Sequence, residues 1–296
     1  MHFTRHGTLL AARFRAMGSP CELLAEDADA AEFRATAQRV EREVARIEAK
    51  YTRFGRSGVL ALLRRRAGRR VWLDAETAEL IDIAARWHRR SDGLFDITGG
   101  ALQRLWRFGA ARRPPDAMAV ARAVARTGFA QLNWERPRLE LPPRVELDLG
   151  GLCKEYAVDR THDIVVARLD AAALVNLGGD LRITRARRGG PWRVGLEDGA
   201  GARRGGQVVP LESGALATSG SARRHVEQHG VRYGHVLDPR TGWPVRHAPA
   251  AVSVAAPTCI ESGLQAKIAL LHGARAADYL AASGLRGWIA PSPELH

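Results

Sequence analysis

The sequence predicts a mixed α/β (α+β) fold, and three observations carry that prediction. Long runs with helical periodicity are spread along the chain. Between them, short runs rich in β-branched and apolar residues recur, and clusters of Gly and Pro punctuate both kinds of run. At 296 residues and 46% apolar content, the chain carries enough apolar side chains for a sizeable core. No repeat of fixed period and no flexible Ser/Gly/Pro tract divides it, so residues 1–296 are expected to form one two-lobed domain.

Taken in order, residues 29 to 50 (DAAEFRATAQRVEREVARIEAK) place apolar groups on one helical face and predict a long amphipathic helix. RVWLD predicts a short strand, and Ala75 to Ser91 a second helix. RVELDL predicts a strand feeding a helix from Cys153 to Leu169. The segments from Arg112 to Pro115 and from Pro137 to Pro143 are expected as surface excursions. Further β-like runs follow at AALVNLGG, LRITRA, WRVGLE, GQVVPLE and AAVSVAAP, the last leading into a helix from Glu261 to His272.

A formal charge of +13 comes from arginine, since lysine occurs only at Lys50, Lys154 and Lys267. Such a field favours an anionic ligand such as a diphosphate, or non-specific nucleic acid. The basic residues are scattered without interleaved aromatics or a zinc-finger or RNP pattern, so a specific nucleic-acid binder is not expected. No stretch approaches the length of a membrane span, and the basic N-terminus lacks a long apolar region and a cleavage site. Cys21, Cys153 and Cys259 are an odd number with no C-x-x-C pair, which argues against a disulfide framework or a cysteine zinc site. The expected location is cytoplasmic, without a removed leader.

Five segments could carry chemistry. Leu147-Asp148-Leu149-Gly150-Gly151-Leu152-Cys153-Lys154 runs from an acidic strand end through two glycines into a helix, where free N–H groups favour phosphate. An ordinary strand-to-helix turn explains it equally well. Asn176-Leu177-Gly178-Gly179-Asp180 closes a β-like run in the same way and reads by itself as a structural turn. In Ser91 to Gly100 (SDGLFDITGG), Asp92-Gly93 fits a helix stop, whereas Asp96 and Thr98 alternate with apolar residues and lack so simple an explanation. In Tyr233 to Pro244 (YGHVLDPRTGWP), alternation puts His235 and Leu237 on one face, and Asp238 starts a turn shaped by Pro239 and Gly242. His235 is a candidate general base because an imidazole titrates near neutrality, although a lone histidine near a turn is more often structural. Thr218-Ser219-Gly220 offers hydroxyls in what could be an ordinary loop.

In order and wording these segments resemble the ApbE family of FAD:protein FMN transferases. Ala16-Met17-Gly18 is similar to the family's opening Met-Gly segment, and Tyr51-Thr52-Arg53-Phe54 up to Ser57 to its aromatic-plus-serine loop. Asp92 to Trp106 with Phe108-Gly109 resembles D-G-x-F-D-x-T…L…W-x-F-G, Asp148 to Asp159 resembles D-L-G-G-x-x-K-G-Y-A-x-D, and Asn176 to Gly179 the N-L-G-G block. Thr218-Ser219-Gly220 and His235-x-x-Asp238-Pro239-x-Thr241-Gly242-x-Pro244 complete the series. The resemblance implies FAD in a central cleft, cleavage of its diphosphate, transfer of FMN to a threonine hydroxyl of a target flavoprotein, and release of AMP. Carried over by position, Met17, Phe54, Leu94, Phe95, Asp96, Asp148, Lys154, Leu237, Thr218 and Ser219 would bind FAD. His235 and Asp238 would be the catalytic pair.

The resemblance also implies Mg²⁺, held by the backbone carbonyl of Gly151 and by an aspartate and a threonine one helical turn apart. In this chain those two positions are Gly263 and Lys267, fixed in register by Ala256-Pro257-Thr258 before them and Gly273 after. Neither side chain offers Mg²⁺ an oxygen ligand. Two readings follow. Lys267 supplies its own positive charge to the diphosphate and the enzyme works without the ion, or the cleft still binds flavin and transfer is lost, leaving a carrier, maturation factor or partner-binding protein. Two further departures are Ser221-Ala222, where the family often has an acidic-aromatic pair, and Glu155, where it has glycine.

Overall fold

The structure is a computed structural model that describes residues 1–106, 108, 113–196, 207–220, 225–228 and 231–292. Its organising element is an eight-stranded sheet in which every neighbouring pair is antiparallel. The strands are β1 (His2–His6), β2 (Leu9–Ala16), β3 (Ser19–Glu26), β4 (Ala172–Leu177), β5 (Asp180–Ile183), β6 (Ala215–Gly220), β7 (Ala251–Ala256) and β8 (Arg286–Ala290), and they lie side by side in chain order. The first and last strands come from opposite ends of the chain.

Helices α1 (Ala30–Tyr51), α6 (Cys153–Val166) and α7 (Cys259–Leu271) cover one face of this sheet. The opposite face carries a hairpin of Trp192–Gly195 and Val208–Leu211. Strand β4 is therefore buried on both sides: Ala173, Val175 and Leu177 join the helical core, while Ala172 and Leu174 face the hairpin. The period-2 geometry of a strand explains why AALVNL reads as a continuous apolar run. Helix α1 begins where the Asp29 carboxylate accepts the N–H groups of Ala31 and Glu32, and it buries Phe33, Val40, Val44 and Ile47. Each such burial stabilises the fold by about 1.5–3 kcal/mol.

Between β3 and β4 the chain also forms α2 (Val59–Arg65), α3 (Ala75–Arg90), α4 (Gly100–Leu105) and α5 (Ala117–Val124), with a small sheet of Arg70–Trp72, Arg138–Glu140 and Asn133–Glu135. Helix α8 (Ala276–Ser283) follows α7. Among the described residues no helix is long and apolar enough to cross a membrane.

Two expectations are corrected and one open reading is settled. RVELDL forms no ladder. It makes a single parallel bridge, Gly99 with Glu146, because its neighbour turns into α4 at Gly100. Arg138–Glu140, expected in a surface excursion, is the middle strand of the small sheet. Thr218-Ser219-Gly220 is not loop but the end of β6, paired with β7.

Candidate functional site

The turn before α6 gathers the first group of predicted residues. Asp148 Oδ1 accepts the N–H of Gly150 at 2.8 Å, and Oδ2 lies 3.3 Å from Arg53 Nε. The Arg53 guanidinium in turn stands 4.4 Å from the ring centre of Phe54, which is 82% exposed. An 82% exposed phenylalanine has a face to offer a planar ligand. Beside it opens a cleft of about 410 Å³ lined by Phe54, Arg64, Arg104, Trp106 and Leu147 among others. Its walls combine rings with guanidinium groups, a surface suited to a planar anion.

The Ser91 to Gly100 segment lies against this turn, because Asp148 N–H donates to the Ile97 carbonyl. Leu94 and Phe95 are buried, and Phe95 abuts Gly151. Asp96 takes an internal role: Oδ1 accepts the Thr98 N–H and hydroxyl at 2.7 and 2.6 Å, and Oδ2 accepts the Phe129 N–H at 2.9 Å. With its side chain 3% exposed, Asp96 ties its loop together rather than presenting a carboxylate to the cleft. Asp92-Gly93 is the helix stop expected of it, with both residues at positive φ.

On the far side of α6, Lys154 Nζ lies 2.7 Å from Asp180 Oδ2. Asp180 Oδ1 accepts the N–H of Thr218 at 3.2 Å, and the Thr218 hydroxyl is 2.7 Å from that of Ser253. Burial works against the Lys154 ammonium, but Asp180 and Glu155 outweigh it and raise its pKa above the usual lysine range. The Asn176 to Gly179 turn sits here too: Asn176 Oδ1 accepts the Gly179 N–H, and Gly178 lies close to Ser19, two residues after Met17. Met17 itself donates its backbone N–H to Glu48.

The next residue of α6, Glu155, points the other way and bonds Lys267 of α7. Glu155 is 1% exposed, and its Oε2 has no hydrogen-bond partner among the described residues. Gly263 makes room for it, since a Cβ there would stand 2.4 Å from Glu155 Cγ. The stem of Lys267 lies against Gly151, whose Cβ would be 3.7 Å from Lys267 Cε. The three positions of the implied metal site are thus neighbours, and a glutamate–lysine pair fills the space between them. Asp159, one turn further along α6, accepts the first N–H groups of α7 from Cys259 and Ile260 and binds Arg182. Burial pushes its carboxyl up, opposed by those N–H donors.

His235 follows a hairpin of His225–Gln228 and Val231–Gly234, and the expected strand through Leu237 is only a bridge from Leu237 to Pro244. Asp238 does start a turn: its carbonyl accepts the Gly242 N–H at 2.7 Å, and its carboxylate is held by the Arg240 side chain at 2.7–3.3 Å. Gly242, at φ 75°, lies against Val120 and Val124 of α5, where a Cβ would clash. Trp106 anchors the loop by donating to the Gly242 carbonyl at 2.9 Å, and Phe108 packs edge-on to the His235 ring. The loop therefore reaches the cleft through Trp106. Ser221-Ala222 lies outside the described residues.

A model of the ApbE family matches residues 17–289. The chain belongs to the ApbE family. An FAD:protein FMN transferase of Klebsiella pneumoniae is 34% identical over 208 residues, which cover 66% of this chain and 59% of that protein. One of Treponema pallidum is 30% identical over 235 residues, covering 72% and 65%. The chain thus matches less than two thirds of the length of these relatives. An ApbE protein of Thermotoga maritima superposes with a TM-score of 0.83 at 28% identity, over 97% of this chain and 94% of that one. The apo form of Pseudomonas stutzeri flavinyl transferase ApbE gives 0.84 at 26%, over 97% and 92%.

The contacts that sequence reasoning missed are Arg53 on Asp148, Asp180 on Lys154, and Glu155 on Lys267. For the last, a signal was present. Glycine gives way to glutamate at 155, and a glycine stands at 263 where that glutamate needs room.

Proposed function

We propose that the chain is an FAD:protein FMN transferase, which cleaves FAD and transfers FMN to a threonine of an acceptor flavoprotein with release of AMP. The observation that carries this reading is the convergence of sequence-distant segments on the start of α6. The Asp148–Gly151 turn, which Phe95 abuts, leads into α6, and the Asn176–Asp180 turn and Thr218 lie within one or two contacts of Lys154 on its first turn. The names of the relatives support the same reading.

In this reading Phe54 stacks on a planar ring of FAD, and Met17, Leu94, Phe95, Asp148, Lys154, Leu237, Thr218 and Ser219 shape the rest of its site. Asp96 holds the loop that carries Phe95. The threonine oxygen forms a bond to the flavin-side phosphorus, the P–O bond to AMP breaks, and His235 takes the threonine proton. Asp238 positions the His235 loop through its turn and Arg240. The implied Mg²⁺ does not fit at α7: the donor set there is a glycine without a side chain, an ammonium, and a carboxylate already bonded to that ammonium. We read residues 1–296 as one domain, supported by the sheet's use of both chain ends. A cytoplasmic location accords with three buried free thiols.

Purified protein incubated with FAD and an acceptor flavoprotein should release AMP and leave flavin covalently on the acceptor. His235→Ala should lower kcat by about 10²–10⁴-fold with FAD affinity retained. FAD binding without any turnover in the wild-type protein would overturn the transferase reading in favour of a carrier.

A further inference from the structure

The Glu155–Lys267 pair is unlike an ordinary surface bridge. Glu155 is almost wholly buried, while the Lys267 side chain keeps 25% of its surface exposed. Only one direction leads out of the pair, along the lysine. Glu155 is fixed by α6, by the space at Gly263 and by the bond itself; the lysine stem is fixed along Gly151, opposite Phe95. An ammonium has three N–H donors, and Glu155 is the single hydrogen-bond acceptor for Lys267 among the described residues. The remaining donors have no acceptor among the described residues and are available to a ligand.

An isolated buried carboxylate would be very costly, so Glu155 is explained only together with the cation that neutralises it. A lysine with no such anchor would lose rotamer freedom on meeting an anion; one already held has less to lose. The arrangement therefore preorganises a single positive charge beside the turn at the start of α6. The residues that a divalent ion would need are missing from the same place, and an ammonium stands there instead.

We propose that Lys267, held by Glu155 in the space left by Gly263, is the cation that meets the diphosphate of the bound dinucleotide, and that this site binds FAD without a divalent ion. Glu155 is a positioning residue in this scheme. The proposal rests on the flavin reading above and deepens it, naming the group that neutralises the phosphates and the consequence for metal dependence. Of the two readings of Gly263 and Lys267 it takes the first: their exchange is a rewiring of the site through a third residue, not a simple loss.

The test is FAD and riboflavin affinity, by flavin fluorescence, for the wild-type protein and for the double variant Glu155→Gln with Lys267→Met, each in EDTA and in Mg²⁺. The double variant keeps the volume of the pair and removes both charges, so it leaves no unpaired buried ion, and its thermal midpoint serves as the check on folding. Wild-type affinity for FAD should differ by less than about twofold between the two buffers. The variant should lose about tenfold or more for FAD, the scale of a charge-assisted hydrogen bond, and less than about twofold for riboflavin, which carries no phosphate. FAD binding by the wild-type protein only when Mg²⁺ is present would overturn the proposal and leave the flavin reading standing. Equal losses for FAD and riboflavin would reduce the pair to packing and overturn it as well. No FAD binding in either buffer would bring down the flavin reading and the proposal with it.

Discussion

Two lysine–carboxylate pairs flank the first turn of α6, and they use consecutive residues in opposite senses. Lys154 sends its ammonium to Asp180 of β5, whereas Glu155 sends its carboxylate to Lys267 of α7. In both pairs the carboxylate side chain is 2% exposed and the lysine reaches toward solvent. They differ in what surrounds the acid. Asp180 is also tied to the Thr218 N–H through Oδ1 and faces Lys154 with Oδ2, so its pair is knitted into the sheet, while the second oxygen of Glu155 has no hydrogen-bond partner among the described residues. The comparison teaches that similar ion-pair chemistry serves two ends. One pair locks a helix to a sheet, and in the proposal above the other holds a charge for a ligand.

The largest effect should come from breaking the locked pair. Lys154→Ala leaves Asp180 buried without its cation and should cost about 3–5 kcal/mol in denaturant unfolding. A loss below about 1 kcal/mol would mean that Asp180 is solvated after all. Next, the exchange Gly263→Asp with Lys267→Thr should cost about 3 kcal/mol, because a side chain at 263 collides with Glu155 and the acid loses its partner. Adding Glu155→Gly should relieve that cost and make FAD affinity rise with Mg²⁺. A double variant as stable as the wild type would break the claim that the three positions are coupled.

The third lysine sharpens the contrast, since Lys50 shares Glu76 with Arg46 on the surface between α1 and α3. The Arg46 hydrogen bonds, opposed by partial burial and joined by those of Lys50 and Tyr156, hold the Glu76 carboxyl far below its ordinary value of 4.5. A depressed folded-state value means stability that is present above the unfolded value and lost as pH falls. Glu76→Gln should therefore cost about 2 kcal/mol at pH 7, and the difference from wild type should shrink as the pH drops through about 4.5 and below. A pH-independent difference would point to packing. The smallest effect belongs to Phe54→Ala: stability should stay within about 0.5 kcal/mol for so exposed a side chain, while FAD affinity falls by about 1 kcal/mol with the lost stack. Unchanged affinity would remove Phe54 from the flavin site.

Much of this architecture was legible in the sequence where local rules dominate. The long helix from Asp29, the Asp92-Gly93 stop and the turn at Asp238 came from periodicity, capping and turn chemistry, and the order of the motif blocks identified the family. Strands β1 to β3 were not legible. In LLAARFRA, arginines and alanines blur the alternation, and the strands exist because neighbours complete their hydrogen bonds. RVELDL failed in the opposite way: its pattern suits a strand, but the segment beside it turns away.

The sequence by itself determined which residues the proposed flavin site could draw on, and that the side chains at Gly263 and Lys267 could not hold an ion as an aspartate and a threonine would. Only the tertiary structure decided what replaced it. An ion pair between residues 155 and 267 depends on the packing of α6 against α7 and on the space that a missing side chain leaves there. Neither distance nor space is encoded in local propensity. They arise when two helices settle on one face of a sheet, which is where Lys267 meets Glu155.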